Sequence, residues 1–317
     1  MRLVLLSVVV LAGSACSTPE KRPRRDDPGP FLVVLGIAQD GGVPQAGAFD
    51  DPRFDERERR RLVSCLGLVD PRSNGRWMFD ATPDFRDQLT LLQRAATRPS
   101  ARSAGLDGIF LTHAHIGHYT GLMFLGHESI GARGVPVHAM PRMKRFLETS
   151  GPWSQLVEKR NIAIEALAPG AAVALGDGLM VRPIEVPHRQ EFSEVVGFRI
   201  EGPKRAALFI PDIDSWEELE RSGVAIEALI GGVERAYLDG TFMENGEIPG
   251  RDMRGFPHPF IAASIARFAK LPPSERSKIR FIHLNHTNPA LDPESEAAAR
   301  IRTAGHDVAT EGERFEL

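Results

Sequence analysis

The most informative segment of the chain is Leu111-Thr112-His113-Ala114-His115-Ile116-Gly117-His118-Tyr119-Thr120-Gly121, which follows the apolar run Gly108-Ile109-Phe110-Leu111. The run predicts a buried strand, and three histidines stand beyond its end at positions i, i+2 and i+5. At the end of a strand, residues i and i+2 project to the same side, and a turn can bring i+5 back to them. Since imidazole is the usual nitrogen ligand of zinc and similar metals, the spacing predicts a metal site rather than three solvated loop histidines.

The segment resembles the first metal-binding motif of the metallo-β-lactamase superfamily, His-x-His-x-Asp-His, with Gly117 in the position of the aspartate. The resemblance implies that His113 and His115 hold a first metal ion and that His118 holds a second one. Because glycine offers no carboxylate, the second site is expected to bind its ion weakly, and a single-metal site is an alternative. An aspartate introduced at position 117 is expected to strengthen the second site.

From Phe31 onward, strand-like and helix-like segments alternate without a repeat or a long linker. This alternation indicates a mixed α/β fold, and a chain of 317 residues with 42% hydrophobic content is long enough to bury a substantial core. The resemblance implies a four-layer αββα metallo-β-lactamase-like sandwich over residues 31–317, with the site at one edge between the sheets. Helices are predicted from about residue 81 and over residues 121–130, 141–150, 261–269 and 293–303.

The first predicted strand is closed by Gln39-Asp40-Gly41-Gly42-Val43-Pro44-Gln45. Two glycines in a turn can suggest a phosphate-binding loop, but the segment has neither the glycine spacing nor the lysine of such a loop. We therefore expect a tight turn at the rim of a site.

The first 15 residues have a short charged start, an apolar run and small residues after it, which is typical of a secretory signal peptide. Cys16 follows directly, and residues 16–30 then form a polar segment rich in proline and arginine. The pattern resembles a bacterial lipoprotein signal, with lipid added to Cys16 and a flexible tether behind it. We expect an exported protein of the cell envelope facing the periplasm, anchored to the membrane by that lipid alone. Cleavage after Ala15, giving a soluble periplasmic or secreted protein, is the alternative.

Further candidate ligands follow other strand-like segments. By the same resemblance, His188 is the third ligand of the first metal. Asp212, which follows the apolar run Ala206-Ala207-Leu208-Phe209-Ile210, is the carboxylate that bridges both metals. Asp214 is the weaker substitute. Asp212 and His118 are also the residues expected to take part in catalysis.

The segment Arg280-Phe281-Ile282-His283-Leu284-Asn285-His286 closes the ligand set. The resemblance implies a second-metal histidine at a strand end, and the spacing leaves both His283 and His286 as candidates. Both together would compensate for the carboxylate missing at position 117. Asp239 and His258 are expected to contact substrate or to support the ligands. The remaining histidines are expected to be structural or surface residues: His127, His138 and His306.

Within the superfamily, the chain resembles the coenzyme-PQQ biosynthesis protein B group over most of residues 31–317. The segments that carry this resemblance are Gly41-Gly42-Val43-Pro44-Gln45, Gly151-Pro152-Trp153, Asp239-Gly240-Thr241, Gly250-Arg251-Asp252-Met253 and Ile282-His283-Leu284-Asn285-His286-Thr287-Asn288-Pro289. The export signal, the histidine-rich motif without its aspartate and the absence of a cysteine cluster depart from that group. Cys65, the one cysteine besides Cys16, is expected to be a buried thiol.

These features predict a metal-dependent hydrolase of a small ester, lactone, amide or phosphoester, with one or two zinc ions, or iron or manganese in their place. A PQQ-protein-B-like oxidative enzyme with an iron centre is one alternative. A non-catalytic envelope binding protein of the same fold is another. The formal net charge of −3 gives no support for nucleic-acid binding, which would require a basic face.

Overall fold

The computed structural model describes residues 28–317, which form a mixed α/β fold around two seven-stranded sheets. The predicted signal peptide, Cys16 and most of the predicted tether lie outside the described residues. Within the described part of the chain, none of the helices is long and apolar enough to cross a membrane.

The first sheet has the strand order β14-β1-β2-β3-β4-β5-β6. Its strands are β1 (Phe31–Gly36), β2 (Cys65–Asp70), β3 (Gly75–Phe79), β4 (Gly108–Phe110), β5 (Val135–Ala139), β6 (Ile162–Ala166) and β14 (Arg314–Glu316). The strands from β14 to β3 pair antiparallel, whereas β3, β4, β5 and β6 run parallel. The histidine-rich segment therefore begins at the carboxyl end of β4, a central parallel strand.

The second sheet has the strand order β13-β12-β11-β10-β9-β8-β7. Its strands are β7 (Val173–Gly176), β8 (Leu179–Glu185), β9 (Val196–Glu201), β10 (Ala206–Ile210), β11 (Arg235–Asp239), β12 (Ile279–Ile282) and β13 (Asp307–Val308). Strands β10 to β13 run parallel, and β7, β8 and β9 pair antiparallel. The parallel strands bring their carboxyl ends to one edge of the sheet.

The two sheets pack face to face through alternate residues of their strands. In β1, Leu32 and Val34 belong to the cluster that contains the second sheet, because successive side chains of a strand point to opposite faces. The ring of Phe79 in β3 lies 5.4 Å from that of Phe110 in β4 and 5.6 Å from that of Phe198 in β9. These aromatic contacts join the sheets and form the centre of the core.

Helices cover the outer face of each sheet, which completes the predicted four-layer αββα sandwich. The helices are α1 (Phe85–Ala95), α2 (Ile116–Tyr119), α3 (Pro141–Thr149), α4 (Trp153–Glu158), α5 (Trp216–Arg221), α6 (Ile226–Gly231), α7 (Ile261–Phe268), α8 (Pro273–Arg276) and α9 (Glu296–Thr303). Helices α1, α3 and α4 pack on the first sheet through Phe85, Leu92, Met143, Leu147 and Leu156. Helices α5, α6, α7 and α9 contribute Trp216, Ile230, Phe268 and Ile301 to the cluster of the second sheet.

The prediction of a helix over residues 121–130 is wrong. The chain forms the single turn α2, continues as a 3₁₀ helix over Thr120–Leu125 and then enters turns. The contacts of Gly121 explain why α2 does not continue as an α-helix. The N–H of Gly121 donates to the carbonyl of Ala81 at 2.8 Å, and a Cβ at Gly121 would lie 2.2 Å from the carbonyl oxygen of Thr82. Tertiary packing against the segment after β3 therefore replaces the regular helical hydrogen bonds.

The two sheets are also joined through the backbone at the edge where the site lies. Ala38, two residues after β1, forms bridges with both Val63 and Leu284. The N–H of Gln39 donates to the carbonyl of Leu284 at 2.8 Å. These bonds tie the segment after β1 to the segment after β12, so the loops that follow strands of different sheets are held in register with each other.

Candidate metal centre

Polar side chains gather where the strands of both sheets end. His113 and His115 follow β4, and His188 follows β8. Asp212 follows β10, and His283 follows β12 directly. Because the carboxyl ends of parallel strands meet at one edge, the fold brings together side chains that are far apart in the sequence.

The first cluster consists of His113, His115, His188 and Asp212, whose ligand atoms lie within 4.8 Å of one another. The Nδ1 atom of His115 lies 2.9 Å from Nε2 of His113 and 3.2 Å from Nε2 of His188. Oδ2 of Asp212 lies 3.4 Å and 3.2 Å from the same two Nε2 atoms. With bonds of about 2.0–2.1 Å, the ligand nitrogens of a tetrahedral zinc ion lie roughly 3.3 Å apart, so these four side chains fit such an ion.

The second cluster consists of Asp40, His118 and His283. Oδ1 of Asp40 lies 3.2 Å from Nε2 of His118 and 3.5 Å from Nε2 of His283. Oδ2 of Asp212 lies 3.8 Å and 4.0 Å from those two nitrogens, which places Asp212 between the two clusters. The arrangement can hold two ions on either side of one carboxylate.

Several atoms of the second cluster and of the neighbouring Asp212 are buried and have no hydrogen-bond partner. They are Oδ1 of Asp40, Nε2 of His118, Oδ1 of Asp212 and Nε2 of His283. An unpaired polar atom in the interior costs about 1–3 kcal/mol, so a fold that gathers several of them in one place needs a compensating ligand. A divalent cation satisfies this requirement.

Each of the five clustered histidines directs its other ring nitrogen at a polar side chain. The pairs are His113 with Thr112 (3.0 Å), His115 with Glu191 (3.1 Å), His118 with Asp80 (2.7 Å), His188 with Asp214 (2.7 Å) and His283 with Thr241 (2.9 Å). Such partners fix the tautomer and the orientation of metal-binding imidazoles. Asp214, the weaker substitute for Asp212, instead has this supporting position beside His188.

Replacing Asp80 with asparagine tests this support. Oδ1 of Asp80 accepts from both the N–H and the hydroxyl of Thr112, so an asparagine is expected to keep its oxygen there and to turn its NH₂ group toward His118. His118 would then carry its proton on Nε2, the nitrogen that faces Asp40. We expect metal affinity at the second cluster to fall about 10–100-fold in Asp80→Asn, measured by competition with a chromophoric chelator.

The matched control is Asp70→Asn, because the buried carboxylate of Asp70 bonds Arg72 and Ser73 instead of a clustered histidine. The control should bind metal like the wild type. Equal affinities in Asp80→Asn and the wild type would contradict an orienting role for Asp80.

A third group adjoins the first two through Asp212. Nδ1 of His258 lies 2.9 Å from Oδ2 of Asp239 and 3.4 Å from Oδ1 of Asp212. Burial opposes the charged form of His258, but Asp239 and Asp212 raise its pKa to about 9. His258 is therefore a cation at neutral pH, held by Asp239 beside the clusters.

The charge states of His113 and Asp212 suit metal binding. Burial, together with the neighbouring His118, lowers the pKa of His113 well below its ordinary value, so this ring is neutral. Burial alone would raise the pKa of Asp212, but His258, His113 and His188 hold it well below its ordinary value. Neutral imidazole and ionised carboxylate are the forms that coordinate a metal.

The structure distinguishes the two histidines that the sequence left as alternatives. His283 lies in the second cluster, whereas His286 lies in none of the three groups found among residues 28–317. The carbonyl of His286 accepts from Arg53 at 2.9 Å. The prediction of His286 as a ligand is therefore corrected.

The other predicted positions are also accounted for. Asp239 and His258 lie against Asp212, as expected of supporting residues. His138 stacks on Phe110 at 4.3 Å, His306 is buried beside Phe281, and His127 is exposed. Cys65 is buried, and burial raises the pKa of its thiol.

Asp40 is the residue of the site that the sequence analysis missed. The turn that contains it was predicted to lie at the rim of a site, and it does. The available signal was the combination of an acid four residues after β1 with a glycine at the acidic position of the histidine motif. A Cβ at position 117 would lie 2.1 Å from Oδ1 of Asp40, so an aspartate there is now expected to displace Asp40 instead of adding a further ligand.

Comparison with known families places this geometry in context. The model of the family described as beta-lactamase superfamily domain matches residues 76–308. The chain is 24% identical over 307 residues to the coenzyme PQQ synthesis protein B of Xanthomonas oryzae pv. oryzae, a match that covers 89% of this chain and 98% of that protein.

Solved structures share the fold. The Zn²⁺-bound PqqB from Methylobacterium extorquens matches with a TM-score of 0.74 and 23% identity, over 90% of this chain and 100% of that one. A diphosphatase from the PhnP family matches with a TM-score of 0.62 and 22% identity, over 91% of this chain and 97% of that one.

Proposed function

The chain belongs to the beta-lactamase superfamily domain family, and on that premise we propose that it is a metal-dependent hydrolase of a small molecule. The observation that carries the proposal is the convergence of five histidines on Asp212, each with its other ring nitrogen bonded to a polar side chain. Hydrogen bonds to the second ring nitrogen hold metal-binding imidazoles in a fixed orientation.

In the proposed site, His113, His115 and His188 would hold a first ion, and His118 and His283 would hold a second one. Asp212, which approaches both clusters, would contribute its carboxylate to them. Zinc fits this mixture of nitrogen and carboxylate ligands, and iron or manganese are alternatives. When bound, such ions lower the pKa of a water molecule to about 7 and polarise a carbonyl or phosphoryl oxygen.

The chain's own residues have three tasks in this scheme. Asp212 neutralises the charge that both clusters accumulate, and the clustered histidines keep their Nε2 or Nδ1 atoms aimed at the same space. His258, protonated at neutral pH and fixed by Asp239, offers a proton donor or an anchor for an anionic group of the substrate. A carboxylic ester, lactone, amide or phosphoester substrate is compatible with these groups.

The test is a turnover screen of the zinc- or manganese-loaded protein against aryl esters, lactones, aryl amides and phosphoesters, with the unloaded protein as the blank. Metal-dependent release of product supports the proposal. Absence of turnover for every ester, lactone, amide and phosphoester class, with both clusters loaded, would contradict it.

The similarity to coenzyme PQQ synthesis protein B over 89% of the chain favours one second candidate, an oxidative enzyme. Histidines with a carboxylate also suit a non-haem iron centre. Oxygen consumption by the ferrous protein, without hydrolysis by the zinc form, would favour this alternative.

We also propose that the protein is exported and anchored through Cys16. The support is the signal-like pattern of residues 1–15 and the polar segment after it. In a bacterial host, the wild type is expected in the membrane pellet and Cys16→Ser in the soluble fraction. Equal distribution of the two proteins in a fractionation experiment would contradict lipid anchoring.

A further inference from the structure

We propose that Asp40 supplies the carboxylate that the histidine motif lacks at position 117, so that Asp40, His118, His283 and Asp212 hold the second metal ion. The proposal deepens the proposed function by naming a ligand, and it rests on the metal site alone. Its tests measure bound metal, so that a failure of hydrolysis and a failure of this ligand assignment can be told apart.

The position of the carboxylate is the first argument. Oδ1 of Asp40 lies within 3.5 Å of the Nε2 atoms of both His118 and His283. All three atoms are buried and lack a hydrogen-bond partner, and both histidine side chains are fully buried. Each histidine bonds its protein partner through Nδ1, which leaves Nε2 free to coordinate.

The second argument is the space around Gly117. A Cβ atom built at this position would lie 2.1 Å from Oδ1 of Asp40 and 2.6 Å from its Cα. The volume that a side chain at position 117 would occupy is therefore filled by Asp40. Glycine at position 117 and aspartate at position 40 are two parts of one arrangement, in which the carboxylate comes from the turn after β1 instead of from the histidine motif.

The backbone holds Asp40 in this place. The N–H of Gly42 donates to the carbonyl of Gln39 at 2.8 Å, which closes a tight turn with Asp40 inside it. Gly42 has a φ of +69°, a conformation that glycine adopts without strain. On the other side, the N–H of Gln39 bonds the carbonyl of Leu284, the residue directly after His283. The turn therefore couples the position of Asp40 to that of the ligand His283.

Charge gives the third argument. Without Asp40, the second cluster contains two histidines and a share of Asp212, the bridging carboxylate. With Asp40, it contains two imidazoles and two carboxylates, and the carboxylates offset the charge of a divalent ion. The second site is thus complete, in contrast to the weak site expected from the sequence.

The first test is Asp40→Asn, which keeps the shape of the side chain and removes its charge. We expect the variant to retain one tightly bound zinc ion and to bind the second more than about 100-fold more weakly. This is a larger effect than the loss of a side chain that only hydrogen-bonds a metal ligand. Metal content by elemental mass spectrometry and the absorption of the cobalt(II) form report this directly. Asp50→Asn, the same change at an exposed position of the same loop, should keep two ions.

The second test is Gly117→Ala, which adds only the Cβ that displaces Asp40. We expect it to lose the second ion as Asp40→Asn does. Its control is Gly231→Ala, because a Cβ at Gly231 meets no atom within 4 Å. Circular dichroism that matches the wild type shows that each variant is folded.

Two outcomes would overturn the proposal. In one, folded Asp40→Asn binds two ions with wild-type affinity, which would mean that Asp40 only neutralises His118. In the other, the wild type binds a single ion at saturating metal. Loss of the second ion in both variants, with both controls intact, supports Asp40 as a ligand.

Discussion

Asp212→Asn is expected to reduce the metal content below one ion per chain and to lower turnover at least about 10³-fold. This exceeds the 10–100-fold cost of losing a side chain that only hydrogen-bonds a metal ligand. Oδ2 of Asp212 lies 3.4 Å and 3.2 Å from the Nε2 atoms of His113 and His188. It also lies 3.8 Å from that of His118, in the second cluster. One carboxylate thus serves both clusters, and its loss affects both ions.

Asparagine preserves the size of the side chain but replaces one oxygen by an NH₂ group, which cannot coordinate a metal and would point among ring nitrogens. The control is Asp177→Asn, an exposed turn residue with a φ of +45° that asparagine tolerates. The two variants should be compared by elemental mass spectrometry and by the hydrolysis assay. Wild-type metal content in Asp212→Asn would show that the clusters do not share this ligand.

Removal of metal is expected to lower the melting temperature on the order of 10 °C and to abolish turnover. A ligand present at about 1,000 times its Kd stabilises the folded state by about 4 kcal/mol, and about 1 kcal/mol shifts the melting temperature of a domain of comparable size by about 2–4 °C. In the apo protein, buried atoms such as Nε2 of His118 and Nε2 of His283 lack a partner. Calorimetry before and after chelation measures this effect.

Readdition of zinc should restore both the melting temperature and turnover. Magnesium serves as the control, because it prefers six oxygen ligands and these clusters are rich in nitrogen. A melting temperature that does not respond to chelation, or that magnesium restores as well as zinc does, would contradict the assigned ligands.

The histidine motif shows what the sequence can predict. His113 and His115 follow β4 at a spacing of two, and strand geometry alone places them on one side. The apolar run before Asp212 likewise indicated a strand that ends in an acid. Such local patterns follow from the two-residue period of a strand and do not depend on contacts with distant parts of the chain.

Asp40 shows what the sequence could not predict. It meets His283 because β1 lies in one sheet, β12 lies in the other, and Ala38 bridges the segments that follow them. No local pattern encodes that contact. The choice between His283 and His286 had the same difficulty, since it depends on a φ of +68° at His283 and on the contact of the loop with Arg53. The helix predicted over residues 121–130 failed for the same reason, because the N–H of Gly121 bonds the carbonyl of Ala81 in another part of the chain.

The most direct test of a two-metal centre is the metal content of the wild-type protein, purified without chelator or nickel affinity resin. Elemental mass spectrometry should find two equivalents of zinc, manganese or iron per chain, after reconstitution if necessary. Two equivalents agree with two clusters joined by Asp212 and completed by Asp40. A single equivalent at saturating metal would contradict the two-metal centre, and no metal at all, even after reconstitution, would contradict the assignment of these side chains as ligands.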